Sequence, residues 1–369
     1  MLRPVALLAF GLFSLPASGV ETVRILVSER DGPVAIQGAR LSAGDDLEDV
    51  EFRPVERGSA TVRRGARGGL EVDGVPVPSG SVRFRAGDPS SGAGTPGGEP
   101  LTAGDLAVRG DVVVRLQGGR LQLINVLPLE IYLVAVLGSE MPPEFPQEAL
   151  KAQAVASRTY ALWKKLESYG ALVNMGSSVI HQVYAGLARE DARTRAAVEA
   201  TSGQILTYEL QPIEAYFHAS CGGRTESGLS ALGRDLPYLA AVECPCGTLP
   251  ASRWTLSLPL AELGRALPGA STLEVVSRSG TGRARMVRLS PDRVLDAVTV
   301  RQRLGYTRLK SLDYSVESAG GDALLLAGKG YGHGAGLCQW GAKAYAGQGW
   351  DYTAILGHYY PGAELRQLY

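Results

Sequence analysis

Residues 127–162 read LPLEIYLVAVLGSEMPPEFPQEALKAQAVASRTYAL and decide how the central part of the chain folds. The apolar run at residues 129–137 predicts a short helix that Gly138 closes, because glycine readily adopts the backbone conformation that ends a helix. A long helix is predicted over residues 146–165, since Pro146 suits the first helical position and good helix formers follow it. We therefore expect two helices joined by a short bend.

Glu140 falls in this predicted bend. Its sequence neighbours are mostly apolar and include Leu137, Met141, Pro142, Pro143 and Phe145. A carboxyl group that packs among such residues loses contact with water, which disfavours its charged form and raises its pKa. An acid of that kind suits proton donation near neutral pH. Glu140 is thus the candidate catalytic residue.

The predicted long helix carries a polar stripe. At 100° per residue, Gln147, Lys151 and Arg158 project within about 40° of one another. The rest of the helix is rich in Ala and Leu, so we expect it to be largely buried, and cations on a buried helix need partners or ligands. Lys151 and Arg158 are therefore candidate substrate-binding residues, with a solvated polar face as the alternative.

The composition is that of an ordinary soluble globular protein. Of the 369 residues, 45% are hydrophobic and 20% are charged, and 37 Lys plus Arg balance 37 Asp plus Glu to a formal net charge of zero. This balance indicates no nucleic-acid partner. The length allows one large domain or two ordinary ones.

The first residues predict an export signal. Arg3 supplies a positive charge, residues 5–13 form a short apolar run, and residues 15–19 (LPASG) provide a cleavage region of mostly small residues. Residues 1–19 are therefore expected to be a signal peptide, which places the mature protein in the periplasm or cell wall. No later stretch reaches about 18 uninterrupted apolar residues, so no transmembrane segment is expected after cleavage.

The remaining pattern divides near residue 118. Residues 20–118 read as strands separated by Gly, Pro, Asp or Ser, with a Gly/Pro/Ser-rich surface loop at residues 87–104 that we expect to be mobile. Residues 119–369 mix helices and strands without a regular βαβ alternation. The pattern favours an α+β fold with mixed, largely antiparallel sheets, a long helix and a β-rich N-terminal region over a doubly wound sheet.

The four cysteines leave two interpretations open. Export permits disulfides, and Cys221 with either Cys244 or Cys246 would join neighbouring segments of one domain. The alternative is a zinc site at His218, Cys221, Cys244 and Cys246, although Cys-x-Cys is tighter than the usual ligand spacing. Cys338 is expected to be a small buried residue.

Four segments of the chain together resemble one protein family. They are residues 127–161, 181–186 (HQVYAG), 215–227 (AYFHASCGGRTES) and 328–365 (GKGYGHGAGLCQWGAKAYAGQGWDYTAILGHYYPGAEL). Their content and order are similar to those of the SpoIID/LytB family, which includes peptidoglycan lytic transglycosylases. The resemblance implies a catalytic domain at residues 119–369.

The resemblance further implies cleavage of the MurNAc–GlcNAc β-1,4 bond of bacterial glycan strands. The family's essential glutamate falls on Glu140, and other active-site positions fall on Lys151 and Arg158. Some members of the family bind zinc, but the reaction itself is expected to require no cofactor.

A single acid agrees with this chemistry. A hydrolytic glycosidase normally needs two carboxyl groups, whereas a lytic transglycosylase can use one, because the C6 hydroxyl of the sugar attacks the anomeric carbon and gives a 1,6-anhydro product. The nearby acids do not supply a second group: Glu144 lies in the predicted bend, and Glu148 points about 100° away from Gln147 on the helix.

Five further residues are candidates for binding the sugar chain: Tyr184, Tyr216, His218, His333 and Gln339. Aromatic rings can stack on sugar faces, and imidazole or amide groups can hydrogen-bond to hydroxyl and N-acetyl groups. Core packing with a satisfied polar tip is the alternative for the rings, and Tyr184 suits it best.

Two other functions remain open at this point. The resembling family includes proteins described as enhancers of cell-wall amidases, so the chain could bind glycan and act on an amidase partner. A plain muramidase would need a second acid that the sequence does not reveal.

Overall fold

The computed structural model describes residues 21–46, 51–88, 98–177, 182–318 and 322–369. The predicted signal peptide at residues 1–19 lies outside these ranges. The helices of the described residues are α1 (Leu129–Glu140), α2 (Gln147–Glu167), α3 (Ala192–Ala200), α4 (Gly228–Leu232), α5 (Leu260–Ala266), α6 (Ala297–Leu304), α7 (Gln339–Gly347) and α8 (Tyr352–Tyr359). None of these combines the length and the apolar composition that a bilayer-spanning helix needs.

Two sheets account for most of the first half of the chain. Their strands are β1 (Thr22–Arg30), β2 (Val34–Gly38), β3 (Ser42–Gly44), β4 (Arg53–Pro54), β5 (Ser59–Arg64), β6 (Leu70–Val72), β7 (Val75–Val77), β8 (Ser81–Arg85), β9 (Leu101–Ala103), β10 (Leu106–Val108), β11 (Asp111–Gln117), β12 (Arg120–Pro128) and β13 (Met175–Gly176). The strand orders are β13-β1-β12-β11-β8-β3-β4 and β10-β9-β2-β5-β6-β7. All pairs are antiparallel except β1 with β13.

The predicted domain boundary near residue 118 falls inside a hairpin. Strands β11 and β12 pair with Gln117 opposite Arg120, and Gly118 and Gly119 between them both have positive φ. Positive φ at both central positions is typical of a two-residue hairpin turn. The hydrophobic core runs across this turn, because Val23 of β1 and Val136 of α1 belong to the same buried cluster. The N-terminal strands therefore pack directly on the helical part of the chain.

The expected loop at residues 87–104 is wrong at its C-terminal end. Leu101–Ala103 forms β9, which pairs with β2 and β10, and Leu101 and Ala103 are buried. The Gly/Pro-rich composition hides this strand, because three residues are too short to display an alternating pattern. Residues 89–97 of the predicted loop lie outside the described ranges.

Helix α1 is longer than predicted and changes the setting of Glu140. It continues through Gly138 and ends at Glu140, so the carboxyl group stands on the last helical residue rather than in a bend. Gly138 is instead a point of close approach, since an added Cβ would lie 2.0 Å from the carbonyl oxygen of Arg189. Helix α2 agrees with the prediction to within two residues at each end and is largely buried, as expected.

The second half of the chain forms smaller sheets. Their strands are β14 (Gln204–Tyr208), β15 (Gln211–Pro212), β16 (Phe217–His218), β17 (Arg253–Pro259), β18 (Glu274–Arg278), β19 (Ala284–Ser290), β20 (Arg293–Asp296), β21 (Tyr314–Ser318), β22 (Ala323–Lys329), β23 (Leu337–Cys338) and β24 (Glu364–Gln367). Helices combined with mainly antiparallel sheets confirm the predicted α+β class.

Residues 253–329 contain a hydrophobic core of their own. Sheets β17-β22-β21 and β18-β19-β20, together with α5 and α6, enclose buried residues that include Leu258, Leu263, Val287 and Leu326. The sequence analysis did not separate this unit from its surroundings. Its two ends meet where the Gly330 N–H donates to the Ser252 carbonyl over 2.6 Å.

Candidate functional site

The carboxyl group of Glu140 lies where three parts of the chain meet. Its Oε1 accepts a hydrogen bond of 2.8 Å from the backbone N–H of Val183. Gln339, the first residue of α7, directs its side-chain amide at Oε2 over a longer distance of 3.4 Å. The end of α1, the segment that follows residue 181 and the start of α7 therefore surround a single carboxyl group.

The surroundings of Glu140 favour its protonated form. Burial raises the pKa of the Glu140 carboxyl, and the hydrogen bonds from Val183 and Gln339 oppose the shift without cancelling it. The carboxyl-terminal end of α1 acts in the same direction as burial, because the helix dipole is negative there. The residue keeps some contact with solvent. Glu140 can thus carry a proton at a higher pH than an ordinary glutamate.

Gln182 aims the Val183 amide at Glu140. Its buried side chain donates to the Ser157 carbonyl of α2 over 3.0 Å and accepts from the Tyr132 hydroxyl of α1 over 3.0 Å. Both contacts tie the segment to the two central helices. The sequence analysis missed this positioning role, because a backbone N–H has no side-chain signature. The occurrence of Gln182 inside a family-like segment was the available hint.

Tyr184 is a core residue, which corrects its predicted role in binding the sugar chain. Its side chain is buried, its hydroxyl donates to Asn125 Oδ1 over 2.7 Å, and its ring packs 5.1 Å from that of Tyr132. The ring face is therefore covered by protein rather than open to a sugar. Tyr184, the residue after Val183, instead anchors this segment to Asn125 and Tyr132.

Arg158 also departs from its predicted role. The guanidinium is fully buried, forms two hydrogen bonds of 2.7 Å to the Glu130 carboxylate, and donates to the carbonyl oxygens of Val198 and Gln204. A side chain with no solvent exposure and several protein partners cannot touch a substrate. Its physical role is to join α2 to α1, α3 and β14.

Lys151 does not reach Glu140 either. Its ammonium group pairs with Glu148 Oε1 over 2.7 Å on the same helix and lies 5.7 Å from the ring centroid of Tyr352. It is partly exposed, so it stays available for an anionic or polar ligand, but at a separate place on α2. The predicted stripe therefore splits into residues with different partners.

Three of the predicted sugar-binding residues, Tyr216, His218 and His333, form an aromatic cluster. The His333 ring lies 5.4 Å from that of His218 and 5.9 Å from that of Tyr216. His218 donates through Nδ1 to the Ala335 carbonyl over 3.0 Å, and its Nε2 has no hydrogen-bond partner among the described residues. His333 donates through Nε2 to the Phe217 carbonyl over 2.9 Å.

Both imidazoles are neutral at physiological pH. Burial lowers the pKa of His218 well below its usual value, and the neighbouring His333 acts in the same direction. Burial also lowers the pKa of His333 to about 4. With Nδ1–H engaged, the free Nε2 of His218 can only accept a hydrogen bond.

The cluster connects to Glu140 through a pair of parallel strands. Strands β16 and β23 place His218 opposite Cys338, and the next residue along the chain is Gln339. Two of the segments that resemble the family are therefore adjacent in space. Of the predicted substrate-binding residues, the structure brings Gln339 into direct contact with the Glu140 carboxyl.

The four cysteines gather at one place, and Cys338, which neither open interpretation included, is among them. The sulfur atoms of Cys221, Cys244, Cys246 and Cys338 all lie within 4.8 Å of one another, and all four thiols are free. In one pair, Cys221 and Cys246, the sulfur atoms are 3.3 Å apart, well beyond a disulfide bond length. The fourth member of this sulfur group is Cys338, whereas the predicted zinc ligand set had His218 in that place.

The described acids near this region do not contact Glu140. Glu144 is exposed, and Glu148 bonds to Lys151 and to the backbone N–H of Tyr352. Glu214, which the sequence analysis did not single out, is buried and paired with Arg234; burial raises the pKa of Glu214, and Arg234 opposes the shift. Among the residues that the structure describes, Glu140 is thus the carboxyl group of this site.

Fold and site together define an α+β protein with one partly buried carboxyl group at a helix end, held by a backbone amide and a glutamine. The sequence model of the family described as "Stage II sporulation protein", SpoIID, matches residues 117–208. This range includes Glu140, Gln182 and both central helices.

Similar proteins agree with the family match. An uncharacterized protein of Brachyspira hyodysenteriae is 33% identical over 251 residues, which cover 66% of this chain and 68% of the relative. Stage II sporulation protein D of Bacillus amyloliquefaciens is 34% identical over 65% of this chain and 75% of its own length. The "Amidase enhancer" of Bacillus subtilis is 30% identical over 63% of this chain but only 40% of its own length. The chain belongs to the SpoIID family.

Proposed function

We propose that this chain is an exported lytic transglycosylase that cleaves the MurNAc–GlcNAc β-1,4 bond of peptidoglycan and leaves 1,6-anhydroMurNAc ends. The observation that carries the proposal is the setting of Glu140, whose pKa is raised by burial while two hydrogen bonds still support its charged form. A group that gives up and regains a proton in one reaction needs both properties.

In the first step Glu140 acts as the acid. It donates its proton to the glycosidic oxygen as the bond between that oxygen and the anomeric carbon of MurNAc breaks. Oε2 is the oxygen that would carry this proton, because Oε1 accepts the short hydrogen bond from Val183 whereas the Gln339 amide is 3.4 Å from Oε2. The resulting carboxylate is stabilised by both donors.

In the second step the carboxylate acts as the base. It takes the proton from the C6 hydroxyl of the same MurNAc residue while that oxygen bonds to the anomeric carbon. One carbon–oxygen bond breaks and another forms, no water is consumed, and Glu140 regains its proton. Hydrolysis would instead need a second carboxyl group about 5–9.5 Å from Glu140, and the nearby acid of α2, Glu148, is engaged by Lys151 and by the backbone N–H of Tyr352.

The aromatic cluster is suited to hold the sugar chain. The partly exposed Tyr216 can offer a ring face to a sugar. His218 is buried together with its Nε2, so it supports the cluster from behind. His333 packs between them with both ring nitrogens occupied, so it orients the other two rings.

Export belongs to the same proposal, because peptidoglycan lies outside the cytoplasm. The predicted signal peptide at residues 1–19 supports it.

A second candidate function follows from the similarity to the amidase enhancer. On that alternative the chain binds glycan strands without cutting them and raises the activity of a cell-wall amidase. The partly buried acid favours catalysis, because desolvating a carboxylate costs free energy that a binding module has no reason to expend.

Mass spectrometry of digested peptidoglycan separates these functions. We expect the wild type to generate anhydro-muramyl ends and Glu140→Gln to lose this activity by at least about a hundredfold, the usual contribution of a general acid–base group. Glu140→Gln should unfold at the same temperature or higher, because a neutral amide avoids the desolvation of an ionised carboxylate. Glu144→Gln, an exposed neighbour, is the matched control.

Each other outcome is decisive. New reducing ends would identify a hydrolase. The absence of new ends, together with increased release of stem peptides by an added amidase, would identify an enhancer. Cleavage that persists in a folded Glu140→Gln protein would exclude the mechanism proposed here.

A further inference from the structure

The four-cysteine cluster joins three distant parts of the chain. Cys221 follows β16, Cys244 and Cys246 flank the start of a short 3-10 helix at Pro245–Thr248, and Cys338 ends β23 just before α7. Cys221, Cys246 and Cys338 are almost completely buried and Cys244 is 8% exposed. Four thiols converge at this point without a disulfide.

The spacing of the sulfur atoms fits a tetrahedral metal site. Zinc bound to four thiolates at about 2.3 Å places the sulfur atoms about 3.8 Å apart. The structure is compatible with that value, because the sulfur atoms of Cys221 and Cys246 lie 3.3 Å apart and all four sulfur atoms lie within 4.8 Å of one another. A disulfide between two of these cysteines would leave the convergence of the other two without a reason.

Hydrogen-bond donors from the surrounding chain point at two of the sulfur atoms. Cys338 Sγ accepts from the backbone N–H groups of Cys221 and Gly341, each over 3.3 Å. Cys246 Sγ accepts from the Ser220 hydroxyl over 3.5 Å. Donors of this kind surround the thiolates of metal centres, because they disperse the negative charge on sulfur.

The surroundings of Cys244 Sγ are closely packed. The Tyr359 hydroxyl lies 3.1 Å from Cys244 Sγ, and a Cβ added to Gly341 would come within 2.3 Å of the same sulfur. Glycine is thus required where α7 passes the cluster. Soft sulfur ligands in a buried four-membered set favour zinc over magnesium or calcium.

We propose that Cys221, Cys244, Cys246 and Cys338 bind one zinc ion in a closed, structural site. Four protein ligands leave no coordination position for water or substrate, so the metal stabilises the fold rather than entering the reaction. It would fasten the two ends of the unit at residues 253–329, because Cys246 precedes that unit and Cys338 follows it. It would also fix the start of α7, from which Gln339 contacts Glu140.

The test measures metal content and coordination in the full-length protein, without reference to activity. Protein purified without chelators should contain one zinc per chain by mass spectrometric elemental analysis. X-ray absorption of the wild type should show sulfur neighbours alone. Replacement of zinc by cobalt should give the intense near-ultraviolet bands of thiolate–cobalt charge transfer.

Two variants distinguish the ligand sets. Cys338→Ser should lose zinc or bind it at least about tenfold more weakly, since one of four ligands is replaced. His218→Asn should retain zinc, because His218 lies outside the sulfur group and donates to the Ala335 carbonyl.

Three results would overturn the proposal. Metal-free protein with fewer than four reactive thiols after unfolding without reductant would indicate a disulfide. Nitrogen neighbours in the absorption spectrum of the wild type would exclude the four-sulfur site even if Cys338→Ser fails to fold. Loss of zinc from His218→Asn with retention in Cys338→Ser would assign the ligand set that includes the histidine.

Discussion

At the scale of single residues, two opposing effects set the pKa of Glu140. Burial raises its pKa, and the hydrogen bonds from Val183 and Gln339 lower it. The first step of the proposed reaction needs the protonated acid, so the rate should fall as the pH rises through this pKa. The pH at which the rate falls on the alkaline side, the alkaline limb of the pH–rate profile, therefore depends on the hydrogen bonds from the two donors.

Gln339→Leu should move the alkaline limb of the kcat/KM profile to higher pH. The amide of Gln339 stabilises the carboxylate, so its removal favours the protonated form and raises the pKa of Glu140 further. The measurement is the pH profile of anhydro-muramyl product formation. Gln348→Leu, at the exposed end of α7, is the control and should leave the profile in place. A shift to lower pH would contradict the assigned contact.

Arg158→Met tests whether this arginine binds substrate or supports the fold. We expect a loss of about 3 kcal/mol in the free energy of unfolding, because Glu130 loses its buried partner. KM for glycan fragments should stay unchanged in the folded fraction. Lys164→Met, which breaks the partly exposed pair with Glu167 on the same helix, should cost less than about 1 kcal/mol. A raised KM at unchanged stability would restore the substrate-binding role.

At the scale of elements, the placement of Glu140 depends on how α1 packs. The helix lies against the turn at Gly186–Arg189, and Gly138 permits that contact because it has no Cβ. Since Glu140 is two residues further on, any displacement of α1 moves the carboxyl group relative to the Val183 amide. The position of the Glu140 carboxyl group therefore depends on the packing of α1 at Gly138.

Gly138→Ala should destabilise the protein and reduce its activity. The new Cβ would lie 2.0 Å from the Arg189 carbonyl oxygen, so helix and turn must separate, at a cost of about 1–3 kcal/mol. Gly347→Ala is the matched helical control, because an added Cβ there meets no atom within 4 Å. That variant should be unchanged or up to about 1 kcal/mol more stable. Both are measured by denaturant unfolding and product formation.

At the scale of the whole molecule, the described residues form a main core, the separate core of residues 253–329 and a small third cluster of Val113, Ile124 and Val126. The main core carries Glu140 and its partners. A unit with its own core can open independently of the rest. Local stability should therefore differ between these two parts of the chain.

Leu326→Ala should loosen residues 253–329 selectively. Leu326 is fully buried in the second core, and its truncation should cost about 2–5 kcal/mol. Hydrogen–deuterium exchange with mass spectrometry should show faster exchange in peptides of residues 253–329 and little change in α1 and α2. Leu133→Ala, which truncates a buried side chain of the main core, should give the opposite distribution. Uniform acceleration in both variants would show that the cores unfold together.

Local sequence patterns predicted the α+β class, the two central helices and the apolar setting of one acid. These features rest on local patterns: the position of Pro146, the helix-forming run after it and the apolar residues around Glu140. Such patterns involve residues that are close together in the sequence, so they can be recognised without knowledge of the three-dimensional structure. Gln339 was also named from sequence, although its partner was not.

Which residues contact one another is visible in the three-dimensional structure but not in the sequence. Arg158 and Lys151 share a helix face in the sequence, yet one is buried against Glu130 and the other pairs with Glu148. Cys338 joins cysteines about a hundred residues away. The physical reason is that burial, ion pairing and sulfur clustering depend on contacts between distant segments, which a one-dimensional pattern does not record.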